Sequence, residues 1–227
     1  MTRSSEAGAV LFDIDGTLVD SNFLHVHAWV QAFARAGHPV DAWRVHRRIG
    51  MGSGRLIAEL LGDDADRLTE QVKDGHAERY AALADLLRPF DGARELVRTL
   101  AGEGVAVVLS TSAAPEEVER LRAVLDVDDV VEITGAEDVE EAKPEPDLVQ
   151  AALDRAGVGP DRAVFVGDAV WDVAAAARAG VPCVGVLSGG TSEAELRDAG
   201  AVAVYPDVAA LLAGWRTSPL AAVLPPA

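Results

Sequence analysis

Val10-Leu11-Phe12-Asp13-Ile14-Asp15-Gly16-Thr17-Leu18-Val19-Asp20 is the stretch whose reading decides the fold. A short apolar run, Ala9 to Phe12, ends abruptly in two carboxylates, a glycine and a hydroxyl residue. The run is too short for a helix and is closed by a Gly turn, so it reads as a buried strand. Asp13 then stands where the strand runs out. In open α/β sheets, chemistry collects at the carboxyl ends of strands. Two carboxylates two residues apart repel unless a cation or a proton offsets them. An acidic surface turn is the plainer explanation, but it gives no reason for the DxDGT order.

Working outward, the 227 residues suit one large domain or one domain with an insertion. Hydrophobic residues make up 49% of the chain, and no apolar run reaches membrane-spanning length. A soluble protein without a membrane partner is expected. Met1 to Gly8 lacks an apolar signal region. Cys183 is the only cysteine, which excludes an intramolecular disulfide and fits a cytoplasmic location. The formal net charge of −17 argues against nucleic acid as a partner. That charge is unevenly spread. Residues 21–88 are balanced, and all five histidines (His25, His27, His38, His46 and His76) lie there. This composition shift marks 21–88 as a separate unit, a less acidic lid able to meet an anion. Lys73 and Lys143 are the only lysines in a chain that otherwise uses arginine.

Residues 22–88 contain no convincing strand. Phe23, Val26, Val30 and Phe33 have helical spacing over Asn22 to Ala36, with Ser21 as the expected N-cap and Gly37 as the stop. A short helix over Asp41 to Arg48, a Gly50 to Gly54 loop and a helix from Arg55 to Leu61 follow. Ala65 to Leu87 reads as one long helix or two, with Gly75 as the candidate break. From Pro89 on, helix and strand alternate. Strands are expected at Val105–Leu109, Val130–Ile133, Ala163–Val166, Val181–Leu187 and Ala201–Val204. Helices are expected at Asp91–Ala101, Pro115–Leu125, Pro146–Ala156, Asp172–Ala179, Glu193–Ala199 and Val208–Trp215. Such alternation means α/β architecture, a parallel sheet with helices on both faces. The Ala- and Pro-rich tail from Thr217 is expected to be poorly ordered. Residues 1–20 and 89–227 would form the core, and the helical unit 21–88 would join it by two crossings, near Asp20 and near Arg88-Pro89-Phe90.

Four strand tips then carry polar groups. The first holds Asp13 and Asp15, and the second opens into Ser110-Thr111-Ser112. The third is followed by Lys143-Pro144, and the fourth opens into Gly167-Asp168 and then Asp172. Each alone is an ordinary turn. Together they sit at the functional end of successive strands.

With DIDGT at 13–17, Thr111 at a strand end, Lys143 in EAKPEP and GDAVWD at 167–172, the chain resembles the haloacid dehalogenase-like hydrolase superfamily. The likeness is to its phosphatase branch with a helical cap after the first strand, over about residues 8–215. The resemblance implies a Rossmann-like core and magnesium-dependent hydrolysis of a small phosphorylated metabolite. By it, Asp13 is the nucleophile that becomes an aspartyl-phosphate, and Asp15 is the acid and base. Thr111 and Lys143 complete the catalytic set. Asp13, Asp15 through its carbonyl, Asp168 and Asp172 are the expected Mg2+ ligands. Backbone groups near Gly16 and the Ser112 hydroxyl are expected to meet the phosphate. His25 and Arg55 are the cap residues expected to meet substrate.

Asp15 argues against the dehalogenating and phosphonate-cleaving branches, which lack that acid. A phosphosugar mutase similar to β-phosphoglucomutase stays open, because His25 stands where those enzymes place a histidine that helps the acid/base residue. The Gly50 to Arg55 loop does not reproduce the mutase cap pattern. A non-catalytic phosphometabolite-binding relative is the reading from another class; Asp13, Asp15 and Lys143 are all present against it.

Overall fold

The computed structural model describes residues 7–135, 139 and 141–225. The N-terminal segment before Ala7 and the final two residues of the tail lie outside the described residues. Six parallel strands form one sheet in the order β3-β2-β1-β4-β5-β6. They are β1 Ala9–Phe12, β2 Ala106–Ser110, β3 Glu132–Thr134, β4 Ala163–Gly167, β5 Cys183–Val186 and β6 Ala203–Tyr205. In the centre, β1 pairs with both β2 and β4, Phe12 lying opposite Leu109 and Val166. All of β1, β2 and β4 is buried, which explains apolar runs without polar alternation.

Successive side chains of β1 point to opposite faces. Val10 and Phe12 pack with Leu96, Leu121 and Leu211. These come from α5 (Ala93–Gly102), α6 (Pro115–Leu125) and α10 (Val208–Gly214). Ala9 and Leu11 pack with Val149, Val173 and Leu196. These come from α7 (Asp147–Ala156), α8 (Val170–Arg178) and α9 (Glu193–Ala199). The sheet is therefore covered on both sides, as α/β architecture requires.

Between β1 and α5 the chain forms α1 (Asn22–Arg35), α2 (Ala42–His46), α3 (Ser53–Leu61) and α4 (Ala65–Ala81). Trp29, Phe33, Val45, Leu56, Ile57 and Val72 share a hydrophobic cluster of their own. The chain leaves and returns side by side: Asp20 N–H donates to the Arg88 carbonyl at 2.9 Å, and the Arg88 guanidinium donates to the Asp20 carboxylate at 2.9 Å.

Three local expectations are corrected. Helix α4 runs through Gly75 without a break. A Cβ there would stand 3.2 Å from the Ala32 Cβ, so the glycine lets α1 and α4 approach rather than ending a helix. Ser21 precedes α1, but its side chain makes no cap hydrogen bond. The tail is ordered through residue 225: short 3-10 turns cover Trp215–Thr217 and Pro219–Val223, and Leu220 and Val223 are buried. The Val223 carbonyl accepts from Gly8 N–H at 2.9 Å, beside the start of β1. Two apolar residues three apart were enough to dock a segment whose Ala and Pro content reads as loose.

Candidate active site

Asp13, Thr111 and Asp168 each directly follow a strand, and those strands, β2-β1-β4, are neighbours. The sheet reverses its order of growth here, which is where open α/β sheets leave a crevice. Asp13 is anchored by its own N–H, which donates to the Val166 carbonyl at 2.9 Å. Lys143 comes from the loop before α7 and is fully buried. Its ammonium contacts the Asp13 carboxylate and lies 2.7 Å from Asp172 Oδ1. Burial opposes a charged lysine, but Asp13 and Asp172 outweigh it and raise the ammonium above its ordinary range.

Asp172 closes the first turn of α8, its Oδ2 accepting from Asp168 N–H at 3.2 Å and Ala169 N–H at 3.0 Å. Asp168 is held by Thr17 Oγ1 at 3.1 Å and Asn22 Nδ2 at 2.8 Å. Burial, and then the charges of Asp172, Asp168 and Asp15, push the Asp13 carboxyl well up against the pull of Lys143. Burial and the Asp172 charge push Asp168 up to about 8.

Carboxylate oxygens of Asp13, Asp168 and Asp172 lie within 4.8 Å of one another. Fully ionised, the three buried carboxylates would exceed the one ammonium by two charges, which together with their burial is why Asp13 and Asp168 are pushed up without a cation. A divalent cation with a preference for oxygen matches that excess. The donor set therefore fits such an ion.

The electrostatics carry a pH signature. Unfolded Asp168 loses its proton near 3.8, and the folded one near 8. Between those values the folded state binds more protons, so metal-free stability is fullest below the window. It declines as pH rises through the window and levels off above it. In a chelator, the melting point of the parent relative to Asp168→Asn should fall from about pH 5 to about pH 8, while a saturating divalent cation should flatten the difference. A parent melting point that rises relative to Asp168→Asn over this range would contradict the assignment.

Asp15 faces a different set of groups. Its Oδ1 accepts from Ser21 Oγ at 2.6 Å, its Oδ2 from Thr111 Oγ1 at 3.3 Å, and His25 Nε2 lies 3.4 Å away. This is what the Ser21 hydroxyl does instead of capping α1. Burial alone would raise Asp15, but the hydrogen bond and charge of His25, with Ser21 and Thr111, hold it below the usual carboxylate value. Burial alone would lower His25, and Asp15 reverses that and raises it. His25 Nδ1 is 3.0 Å from His76 Nε2, and His76 Nδ1 is 3.7 Å from Glu117. Tyr80 stacks on His25 and Trp29 on His76, both with centroids 3.8 Å apart. Burial, then the His25 charge, lower His76 to about 2, so it is neutral.

Asp13, Asp15, His25, Thr111 and Ser112 line one cavity of about 340 Å³ between the helical insertion and the sheet. The Ser112 hydroxyl is buried there without a partner among the described residues. Of the expected site residues, Lys143, Asp168, Asp172, Gly16 and Arg55 are not among those lining the cavity; the first three are buried and cluster with Asp13. The Gly16 N–H donates to the Val19 carbonyl at 2.9 Å, and its own carbonyl accepts from Ser188. Arg55 pairs with Glu59 at 3.4 Å and Glu145 at 3.7 Å.

Thr17, Ser21, Asn22, His76 and Glu117 touch the site without having been expected there. Only the clustering of histidines in 21–88 hinted at His76. Gly189 is a further such residue. A Cβ on it would fall 1.7 Å from Asp168 Oδ2 and 2.7 Å from Asn22 Nδ2. Asp168 is short and pinned, so Gly189→Ala should turn its carboxylate. Mg2+ affinity, read by calorimetry, is expected to drop at least about tenfold, the size of loss typical when a ligand's supporting contacts are disturbed.

Fold and site together define a doubly wound α/β enzyme with a carboxylate centre at its switch point. The sequence model of haloacid dehalogenase-like hydrolases matches residues 7–180. A phosphoglycolate phosphatase from Rhodospirillum rubrum is 34% identical over 89% of this chain and 88% of its own length. A phosphorylated carbohydrates phosphatase from Thermotoga maritima is 31% identical over 86% of this chain and 93% of its own. The crystal structure of a hydrolase from Pseudomonas syringae superposes with a TM-score of 0.89 at 35% identity, covering 92% of this chain and 98% of that one. The chain belongs to the haloacid dehalogenase-like hydrolase family. No helix among the described residues is long and apolar enough to cross a membrane.

Proposed function

We propose that this phosphoric monoester hydrolase acts on a small phosphorylated metabolite through an aspartyl-phosphate on Asp13, with residues 21–88 as a cap over the site. One observation carries the reading: Asp13 converges with Lys143, Asp168 and Asp172, while Asp15 stands apart in a separate hydrogen-bonded setting. A carboxylate held against an ammonium suits a nucleophile, and a carboxylate beside a histidine that can supply and take back a proton suits an acid/base.

Asp13 attacks phosphorus, an O–P bond forms, and the ester P–O bond breaks. His25 carries the proton of the resting Asp15–His25 pair. That proton passes to Asp15 and on to the departing oxygen. In the second half, Asp15 takes a proton from the water that attacks the aspartyl-phosphate and returns it to His25. Inorganic phosphate and free Asp13 result. The Ser112 hydroxyl donates to a phosphoryl oxygen, the Thr111 hydroxyl turns from Asp15 to do the same, and Lys143 balances charge on Asp13.

Asp13, Asp168 and the Asp15 carbonyl would hold Mg2+. Asp172 would act through water, since its oxygens already serve Lys143 and two backbone N–H groups. The ion would supply the positive charge that lets an anionic nucleophile approach an anionic phosphate.

The test is turnover of a phosphate ester with and without Mg2+, combined with acid quenching and peptide mapping. Phosphate on Asp13 is the expected result; turnover without any phosphorylated aspartate would refute the mechanism. The His25–Asp15 contact also favours a phosphosugar mutase. Bisphosphate-primed interconversion of sugar 1- and 6-phosphates would identify one, and the phosphatase reading expects none.

A further inference from the structure

Beyond the reacting groups, the cavity has walls of contrasting character. Trp29, Ile49, Met51 and Leu56 line it and are all buried. Lys73 and Asp74, on α4, supply charge. Lys73 is half-buried and makes no ion pair among the described residues, whereas the nearby arginines are engaged, Arg48 with Glu59 at 3.1 Å and Arg55 with Glu59 at 3.4 Å. Lys73 and Asp74 are successive on a helix, so their side chains do not face each other. The ammonium is thus free to meet a ligand.

Volume limits what fits. At about 340 Å³ the cavity falls in the range of pockets that take drug-sized ligands. A phosphate ester of a two-carbon acid would leave part of the apolar wall wet. A polyhydroxylated sugar would fill it better. Some of its hydroxyls would find partners at Asp74, His76 and Glu117, but those turned to Trp29, Ile49, Met51 and Leu56 would lose water without gaining any.

We infer that the leaving group is a ring-sized alcohol with an apolar face, carrying an anionic substituent at the end that meets Lys73. The inference rests on the phosphatase reading for turnover, but the recognition it describes can be measured without turnover. The apolar face displaces water from the four-residue wall, and the substituent pairs with the one lining ammonium not held by a carboxylate.

The test compares kcat/KM, with Mg2+, for phosphoglycolate, glucose 6-phosphate, benzyl phosphate and 4-carboxybenzyl phosphate. All are esters of primary alcohols, so leaving-group reactivity differs little and the ratios report recognition. Benzyl phosphate should exceed phosphoglycolate and glucose 6-phosphate at least about tenfold, and the carboxylated ester should exceed benzyl phosphate. Lys73→Met should erase the preference between the two benzyl esters. Met51→Ser should lower the ratio of benzyl phosphate to phosphoglycolate at least about threefold. Binding of benzylphosphonate, read by calorimetry, gives the same comparison in a protein that turns nothing over. Phosphoglycolate or glucose 6-phosphate ahead of both benzyl esters would overturn the inference and leave the phosphatase reading intact. Absence of any turnover together with Met51-dependent benzylphosphonate binding would do the reverse. Benzylphosphonate binding that Met51→Ser leaves unchanged would overturn the inference as well.

Discussion

The Asp13→Asn protein should fold, melt close to the parent, and lose at least about four orders of magnitude in kcat, the scale seen when a nucleophile is removed. An amide oxygen does not form the acyl phosphate, and it is a poorer metal ligand. The fold survives because the consequences for the rest of the site oppose each other. Buried Lys143 loses one carboxylate but keeps Asp172 at 2.7 Å. Asp168 and Asp172 lose a buried anionic neighbour at the same time. Stripping a buried ion of all its partners costs roughly 3–5 kcal/mol; this substitution strips none completely. Turnover of any accepted phosphate ester, measured beside a thermal melt, checks both halves. Activity near the parent level in a folded Asp13→Asn protein would remove the nucleophile assignment.

Lys143 is expected to show the opposite balance, with large effects on stability as well as rate. Lys143→Met keeps the length and removes the charge, leaving Asp13, Asp168 and Asp172 crowded without their ammonium. Stability in a chelator should fall by about 3–5 kcal/mol at neutral pH. Mg2+ should restore part of it, because a ligand that binds only the folded state stabilises by mass action. Lys143→Arg keeps the charge and tests shape. The ammonium sits fully buried between two carboxylates and 5.5 Å from the Phe165 ring. A planar, forked guanidinium is wider than that slot. Displacing Asp13 by about 1 Å should cost roughly a hundredfold in kcat. Retention of half the activity by Lys143→Arg would reduce the residue to a general positive charge. A Lys143→Met protein as stable in chelator as the parent would show that the three carboxylates need no cation.

Asp13, Thr111, Lys143 and Asp168 could be picked out as a set because each directly follows a strand or lies in the loop after one, and Asp172 because it stands in the first turn of the helix after β4. A buried strand of a parallel sheet announces itself locally, and so does the polar residue that ends it. His25 needed the resemblance as well, since helical spacing places it on α1 without saying what it faces. The partners of Asp15 and Asp168 had no such local signal. Ser21 reads as a helix cap, and its hydroxyl goes to Asp15. Asn22 reads as the first residue of a helix, and its amide holds Asp168, 146 positions away. For Gly16 and Arg55 the structure adds partners that local sequence does not show, Val19 and Ser188 for Gly16 and Glu59 for Arg55.

Local signals in the sequence specified the alternating architecture, the strand tips and the run of helices between the first two strands. Those properties follow from hydrophobic period and residue type, which act over a few neighbouring positions. Tertiary structure alone decided the strand order β3-β2-β1-β4-β5-β6, which brings the tips of β2, β1 and β4 together. It also decided the stacked Tyr80–His25 and Trp29–His76 pairs, the approach of His76 to Glu117, the docked tail at Leu220 and Val223, and the meeting of four apolar residues and Lys73 around one cavity. Each of these depends on which surfaces are left to bury once the elements exist. That competition is settled by the packing of residues far apart in the chain.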